Sequence, residues 1–177
     1  GPCGPGFSHL SVLYTAEGYP SGTVALLISY FGIILMISKV LYGTLSDALG
    51  SRAANYVTYG AGILGLCLCC LASIPSVPLA AAACTFTALG MPLSSVSLSV
   101  WAGDFSRGAD YDRLVKWLST SYMLGALVTG PVPGILADRL GSYVPAYLLF
   151  LASLVCSMAL IQGVYYKLGV GKRPSKS

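Results

Sequence analysis

Long apolar runs, separated by short polar clusters, organise this chain. A helix needs about 20 residues to cross a hydrocarbon core of about 30 Å. Five runs reach that length: Thr23 to Ser46, Ala53 to Ser73, Val77 to Ala102, Leu114 to Ala137 and Val144 to Tyr166. A shorter run from Gly4 to Ala16 reads as the tail of a further span, in a chain that starts inside a helix. The polar clusters at 17–22, 47–52, 73–78, 103–113 and 138–143 are rich in the turn formers Gly, Pro, Ser and Asp. They are short, so consecutive helices should be antiparallel neighbours. The pattern predicts an all-α, polytopic transmembrane helix bundle. Residues 1–166 would form one six-helix unit with a truncated first helix, and residues 167–177 a basic, solvated tail.

One pattern recurs across this frame. Gly43, Leu45, Asp47, Leu49, Gly50 and Ser51 close the first full span. The same spacing returns from Gly134 to Ser142, with Asp138 as the acid. Three crossings between the copies place them on opposite faces of a bilayer. Inverted three-helix repeats of that kind are a construction of secondary transporters.

Composition strengthens the membrane reading. Only 9% of the 177 residues are charged and 55% are hydrophobic, against about 25% charged in soluble domains. So few charges cannot solvate a globular surface. The net charge of +4 is scattered and describes topology better than a nucleic-acid footprint. Arg52, Arg107, Arg113, Lys116, Lys167, Lys172, Arg173 and Lys176 fall on one side, against Arg139 alone on the other. The positive-inside rule then puts the C-terminus in the cytoplasm of a multi-pass plasma-membrane protein. Cys67, Cys69, Cys70, Cys84 and Cys156 lie in apolar runs and read as free, packed thiols, while Cys3 stays undecided.

Other motifs discriminate less. The Gly60-to-Gly65 match to G-x-G-x-x-G lacks the strand and helix that a dinucleotide site needs. Close helix approach at small residues explains it better. Gly125, Gly130, Pro131, Pro133 and Gly134 imply a bent helix, because proline frees a carbonyl that must find a partner. A tightly packed kink accounts for them as well as a substrate wall does. One histidine, no P-loop and no paired intramembrane acids leave hydrolase or ATPase chemistry without its parts. No enzyme activity, cofactor or metal site is expected.

The loop Gly43, Leu45, Asp47, Gly50, Arg52 resembles the Gly-x-Leu-x-Asp-x-x-Gly-x-Arg loop of the major facilitator superfamily. Gly125, Gly130, Pro131 and Gly134 resemble the Gly-Pro helix of such proteins. Asp138, Gly141 and Tyr143, with His9, Leu10, Gly32, Lys39 and Gly43, are similar to the branch of monocarboxylate transporters and oxalate-formate antiporters. The branch usually has Arg where Lys39 stands, and several members have Asp where Leu35 stands. The resemblance implies the second half of a twelve-helix secondary carrier with a 3+3 inverted repeat. Such a carrier would move a small organic anion, such as a monocarboxylate, by rocking against a missing N-terminal half. It also implies proton coupling, for which the sequence offers no clear proton site. Rival readings are a carrier for sugars or drug-like solutes and a non-transporting membrane scaffold.

Lys39 is the sharpest candidate for substrate contact, since an ionisable residue inside a span is a functional hypothesis by default. Snorkelling along its stem is the alternative. Tyr30, His9 and Tyr122 are further candidates for the substrate wall. Asp47 faces the negative end of a helix dipole and so needs a cation. Arg52, Arg113 and Lys116 are the candidates, in a latch that would gate the cytoplasmic side. Gly43, Gly125, Gly130, Pro131, Gly134 and Asp138 are assigned to kinking and packing.

Overall fold

A computed structural model describes residues 9–72, 74–106 and 110–171. These residues form α1 (Leu10–Ala16), α2 (Ser21–Leu49), α3 (Ser51–Cys69), α4 (Val77–Gly90), a 3-10 turn (Met91–Ser94), α5 (Val96–Ser106), α6 (Tyr111–Thr129), α7 (Val132–Leu140) and α8 (Val144–Leu168). The chain is a helix bundle, and no strand occurs among the described residues.

Two of the expected spans and one expected loop take a different form. The run from Val77 to Ala102 is not one helix, because Pro92 lacks an N–H and collides with the preceding turn. The carbonyls freed there are taken up locally. Ser94 Oγ donates to the Met91 carbonyl at 2.8 Å, and Ser97 Oγ to that of Leu93 at 3.0 Å. The run from Leu114 to Ala137 is likewise divided at Gly130 and Pro131 into α6 and α7. The expected loop at 47–52 shrinks to one residue: α2 continues through Asp47 to Leu49, and Gly50 alone separates it from α3.

Among the described residues, four stretches are long and apolar enough to cross a membrane: Ser21–Leu49, Val77–Ser94, Tyr111–Leu140 and Val144–Leu168. The expected span from Ala53 to Ser73 forms α3, which has a more polar composition. Its polar residues are turned inward: Ser51, Asn55 and Thr58 are buried, together with Tyr59 and Leu66. A central helix can carry such residues across lipid because the bundle supplies their partners.

The core centres on that helix. Leu13 and Tyr14 of α1, Leu66 and Cys69 of α3, Cys84 of α4, and Tyr147, Phe150 and Leu154 of α8 belong to one buried cluster. Gly65 sets the spacing between α3 and α4, since a methyl there would collide with the backbone of Phe86 and Thr87. Gly60, by contrast, has open space beside it. Cys69 and Cys84 are packed as expected, whereas Cys67 and Cys156 are exposed on the bundle's outer surface. α6 has no buried residue at all, and Leu127, Val128 and Met123 project outward. Such faces are stable only against lipid or further protein.

The two Asp-bearing turns lie at opposite ends of the bundle. The Arg52 N–H donates to the Gly171 carbonyl just past α8, at 3.1 Å. The other turn leads into the start of α8, where Ser142 Oγ accepts the Val144 N–H at 3.2 Å. α8 has 25 residues, or about 37 Å at 1.5 Å per residue.

Candidate functional site

Lys39 lies on α2, ten residues from its end at Leu49, or about 15 Å along the axis. It is exposed, as is Gly32 on the same side, and none of the described residues covers it. An ammonium in the middle of a 29-residue apolar helix is costly in lipid. That face therefore suits a water-filled or protein-lined space.

The other substrate-wall candidates do not gather around it. Tyr30 precedes Lys39 by nine residues on the same helix, two and a half turns, which puts it on the opposite face. Its hydroxyl shares a hydrogen bond with Thr85 Oγ1 of α4 at 2.9 Å, so it ties helices together. His9 is the half-buried residue that precedes α1, which spans only Leu10–Ala16. Tyr122 lines a separate cavity of about 170 Å³ with Tyr59, Trp101 and Ser157. Distance along and around the helices, not chemistry, separates the four residues.

The gating candidates also part company. Asp47 is exposed in the last turn of α2, where no basic residue accompanies it. Arg52 turns away, its guanidinium 5.4 Å from the centre of the Tyr166 ring on α8. In this conformation neither Arg52, Arg113 nor Lys116 forms an ion pair with Asp47. Arg113 and Lys116 are exposed on α6.

In place of that latch stands a network around Asp104, an acid that sequence reasoning left among the loop residues. Ser51 Oγ and Tyr165 OH both donate to Asp104 Oδ2, the latter at 2.6 Å. Phe105 packs edge-on against Tyr165, with centroids 4.9 Å apart. Gln162 Nε2 donates to the Arg52 carbonyl at 3.3 Å. The ends of α3, α5 and α8 are thereby held together. Asp104 and Asp47 share the wall of a cavity of about 480 Å³, with Ser46 and Gly171. The recurring serine was the available signal, since Ser51 closes the repeated frame. What it bonds to lies 53 residues away and has no local trace.

A second buried tie, one turn further along α3, joins α3 and α5 to α2. Asn55 Oδ1 accepts from Tyr42 OH of α2 at 2.8 Å and from Trp101 Nε1 of α5 at 3.0 Å. Indole can only donate, which fixes the amide's orientation. The Asn55 NH₂ then has no acceptor among the described residues. Among the kink residues, Gly130 and Pro131 sit at the α6–α7 break. Gly43 and Gly134 have open space where a side chain would go. Gly125 accepts the Thr129 hydroxyl at 2.7 Å, and Asp138 is exposed in the last turn of α7.

A family model described as Major Facilitator Superfamily matches residues 6–176. Human monocarboxylate transporter 12 is 32% identical over 168 residues, which cover 90% of this chain and 31% of that protein. Its rat counterpart is 30% identical, over 90% of this chain and 32% of the relative. A probable chloroplastic folate-biopterin transporter 9 of Arabidopsis thaliana is 30% identical over 71% of this chain and 24% of its own length. The chain therefore spans about a third of the length of the curated relatives it matches most fully. No solved structure matches it significantly.

Proposed function

The chain belongs to the major facilitator superfamily, and on that footing we propose that it is part of a secondary active carrier for a small organic anion such as a monocarboxylate. Residues 1–166 supply six-helix material of one half, with the tail from residue 167 in the cytoplasm. The partner is an N-terminal half of the same carrier, packed against faces that this chain leaves open. The monocarboxylate transporters among its relatives favour this substrate class over sugars or drug-like solutes, and over a scaffold with no flux.

Lys39 carries the reading. It is the one cation within the long α2 span, and it is exposed on a helix side that the other described residues do not cover. A carboxylate brought into that space loses hydration, and a cation there compensates the loss. Lysine meets it as a point charge and not as the two-pronged fork of arginine. Asp47, Arg52, Arg113 and Lys116 are free to change partners as the cytoplasmic side opens and closes. Proton coupling would then depend on groups supplied by the other half.

Uptake of labelled lactate into proteoliposomes containing the full-length carrier tests this. Lys39→Ala should lower the initial rate at least tenfold at equal protein content, which corresponds to about 1.4 kcal/mol. Lys39→Arg should retain a substantial part. Unchanged lactate uptake in Lys39→Ala would overturn the assignment.

A further inference from the structure

The cavity that contains Tyr122 lies apart from Lys39 and from the Asp104 network. It is a half-open cleft lined by α3, the 3-10 turn with α5, α6 and α8. Its polar lining is made entirely of neutral groups: the hydroxyls of Tyr59, Ser94, Ser121, Tyr122 and Ser157, with the Trp101 indole, and leucines between them. Ser121 is ten residues along α6 from Tyr111, or about 15 Å. That is half the thickness of a hydrocarbon core of about 30 Å. A hydroxyl-rich cavity thus sits near mid-membrane, beside the interrupted α4–α5 helix.

The hydroxyls are unevenly committed. Ser94 has given its hydrogen to the Met91 carbonyl and keeps its oxygen as an acceptor. Tyr59 and Ser157 share one bond of 2.9 Å. On the α6 wall, at the open side of the cleft, the exposed Ser121 and the half-buried Tyr122 have no hydrogen-bond partner among the described residues. Polar groups at this depth need partners from protein, water or ligand. An occupant must both accept from the α6 wall and donate to the opposite one. A carboxylate cannot donate and would enter without a cation to meet it. A volume of about 170 Å³ equals the space of about five or six waters, below the range of drug-sized pockets.

We propose that this cavity binds a small uncharged polyol or hydroxyketone. Such a solute supplies donors and acceptors in equal measure and brings no charge into the bundle. The site goes beyond the anion-carrier reading and does not rest on it, since its ligand, residues and location all differ.

The test uses the full-length carrier in proteoliposomes, with its native thiols replaced by alanine and Ser121→Cys introduced. A neutral maleimide reports access, with glycerol as the probe and lactate as the charged control. Glycerol should slow labelling by about threefold or more at saturation, lactate should leave the rate unchanged, and adding Ser157→Leu should abolish the glycerol effect. Ser94→Cys gives the same readout from the opposite wall if the first variant folds poorly. Equal labelling with and without glycerol at both positions would overturn the proposal and leave water as the occupant. Protection by lactate as strong as by glycerol, or protection that survives Ser157→Leu, would overturn it too. Lactate flux lost in Lys39→Ala reports separately on the carrier reading.

Discussion

The two copies of the Gly-x-Leu-small-Asp-x-Leu-Gly-Ser frame fold alike locally and are employed differently. Each ends a helix on a glycine with positive φ, +87° at Gly50 and +67° at Gly141. Beyond that glycine the copies diverge. Ser51 is buried and reaches across the bundle to Asp104, and the next residue, Arg52, is fastened by its backbone to Gly171 and Gln162. Ser142 folds back to accept the Val144 N–H at the start of its own next helix. The charges differ as well. Arg139 stands in the last turn of α7, where it complements the helix dipole, whereas the last turn of α2 has Asp47 and no basic residue. A repeated motif therefore encodes the turn, while its surroundings decide whether the turn is a junction or a plain connector.

The most severe test of the comparison is topological. If the copies cap opposite ends of a bundle whose last helix is about 37 Å long, they face different compartments. With the exposed thiols Cys67 and Cys156 removed, Ala48→Cys and Arg139→Cys in the full-length carrier should react with a membrane-impermeant maleimide from opposite sides. Labelling of both from one side would break the inverted-repeat relationship.

Next in size is the difference between the two glycines. Gly50 combines φ +87° with ψ 149°, a region that essentially only glycine occupies, at a cost of about 1–3 kcal/mol for other residues. Gly141, at φ +67° and ψ 13°, is in the left-handed helical region, which asparagine tolerates. Thermal unfolding in detergent should find Gly50→Asn clearly destabilised and Gly141→Asn close to the parent. Equal losses would mean that the two turns carry the same strain.

Much of this frame was legible in the residues. The apolar runs located the helices, and the duplicated Asp-Gly-Ser turns located their ends, because hydrophobic length and glycine torsion are local properties. The interruption at Pro92 was equally visible as a residue. The surrounding run is nevertheless apolar enough to read as one span. The polar partners were not legible. Asn55 joins Tyr42 to Trp101, and Asp104 joins Ser51 to Tyr165, over separations that no periodicity reports. The expected pairing of Asp47 with Arg52 came from the dipole argument alone. That argument is indifferent to the aromatic ring of Tyr166, which occupies the guanidinium here. Lys39 and Tyr30 were grouped by chemistry, and helix geometry then set them on opposite faces.

The smallest effect separates the serines. Removing the Ser51 hydroxyl takes a hydrogen bond from a carboxylate that has one other donor among the described residues, Tyr165. Hydrogen bonds to charged groups contribute about 1.5–3 kcal/mol. Removing Ser142 takes away only its local, neutral hydrogen bond from the Val144 N–H, and such a bond is worth about 1 kcal/mol. Ser51→Ala should therefore lower the unfolding midpoint more than Ser142→Ala does. Ser51→Thr, which keeps the hydroxyl, should recover part of the loss. A double variant with Tyr165→Phe tells whether the network is a unit: both hydroxyls serve one oxygen, so the combined loss should depart from the sum of the single losses. Strict additivity, together with equal effects at Ser51 and Ser142, would reduce the first turn to a connector like the second and remove the distinction between them.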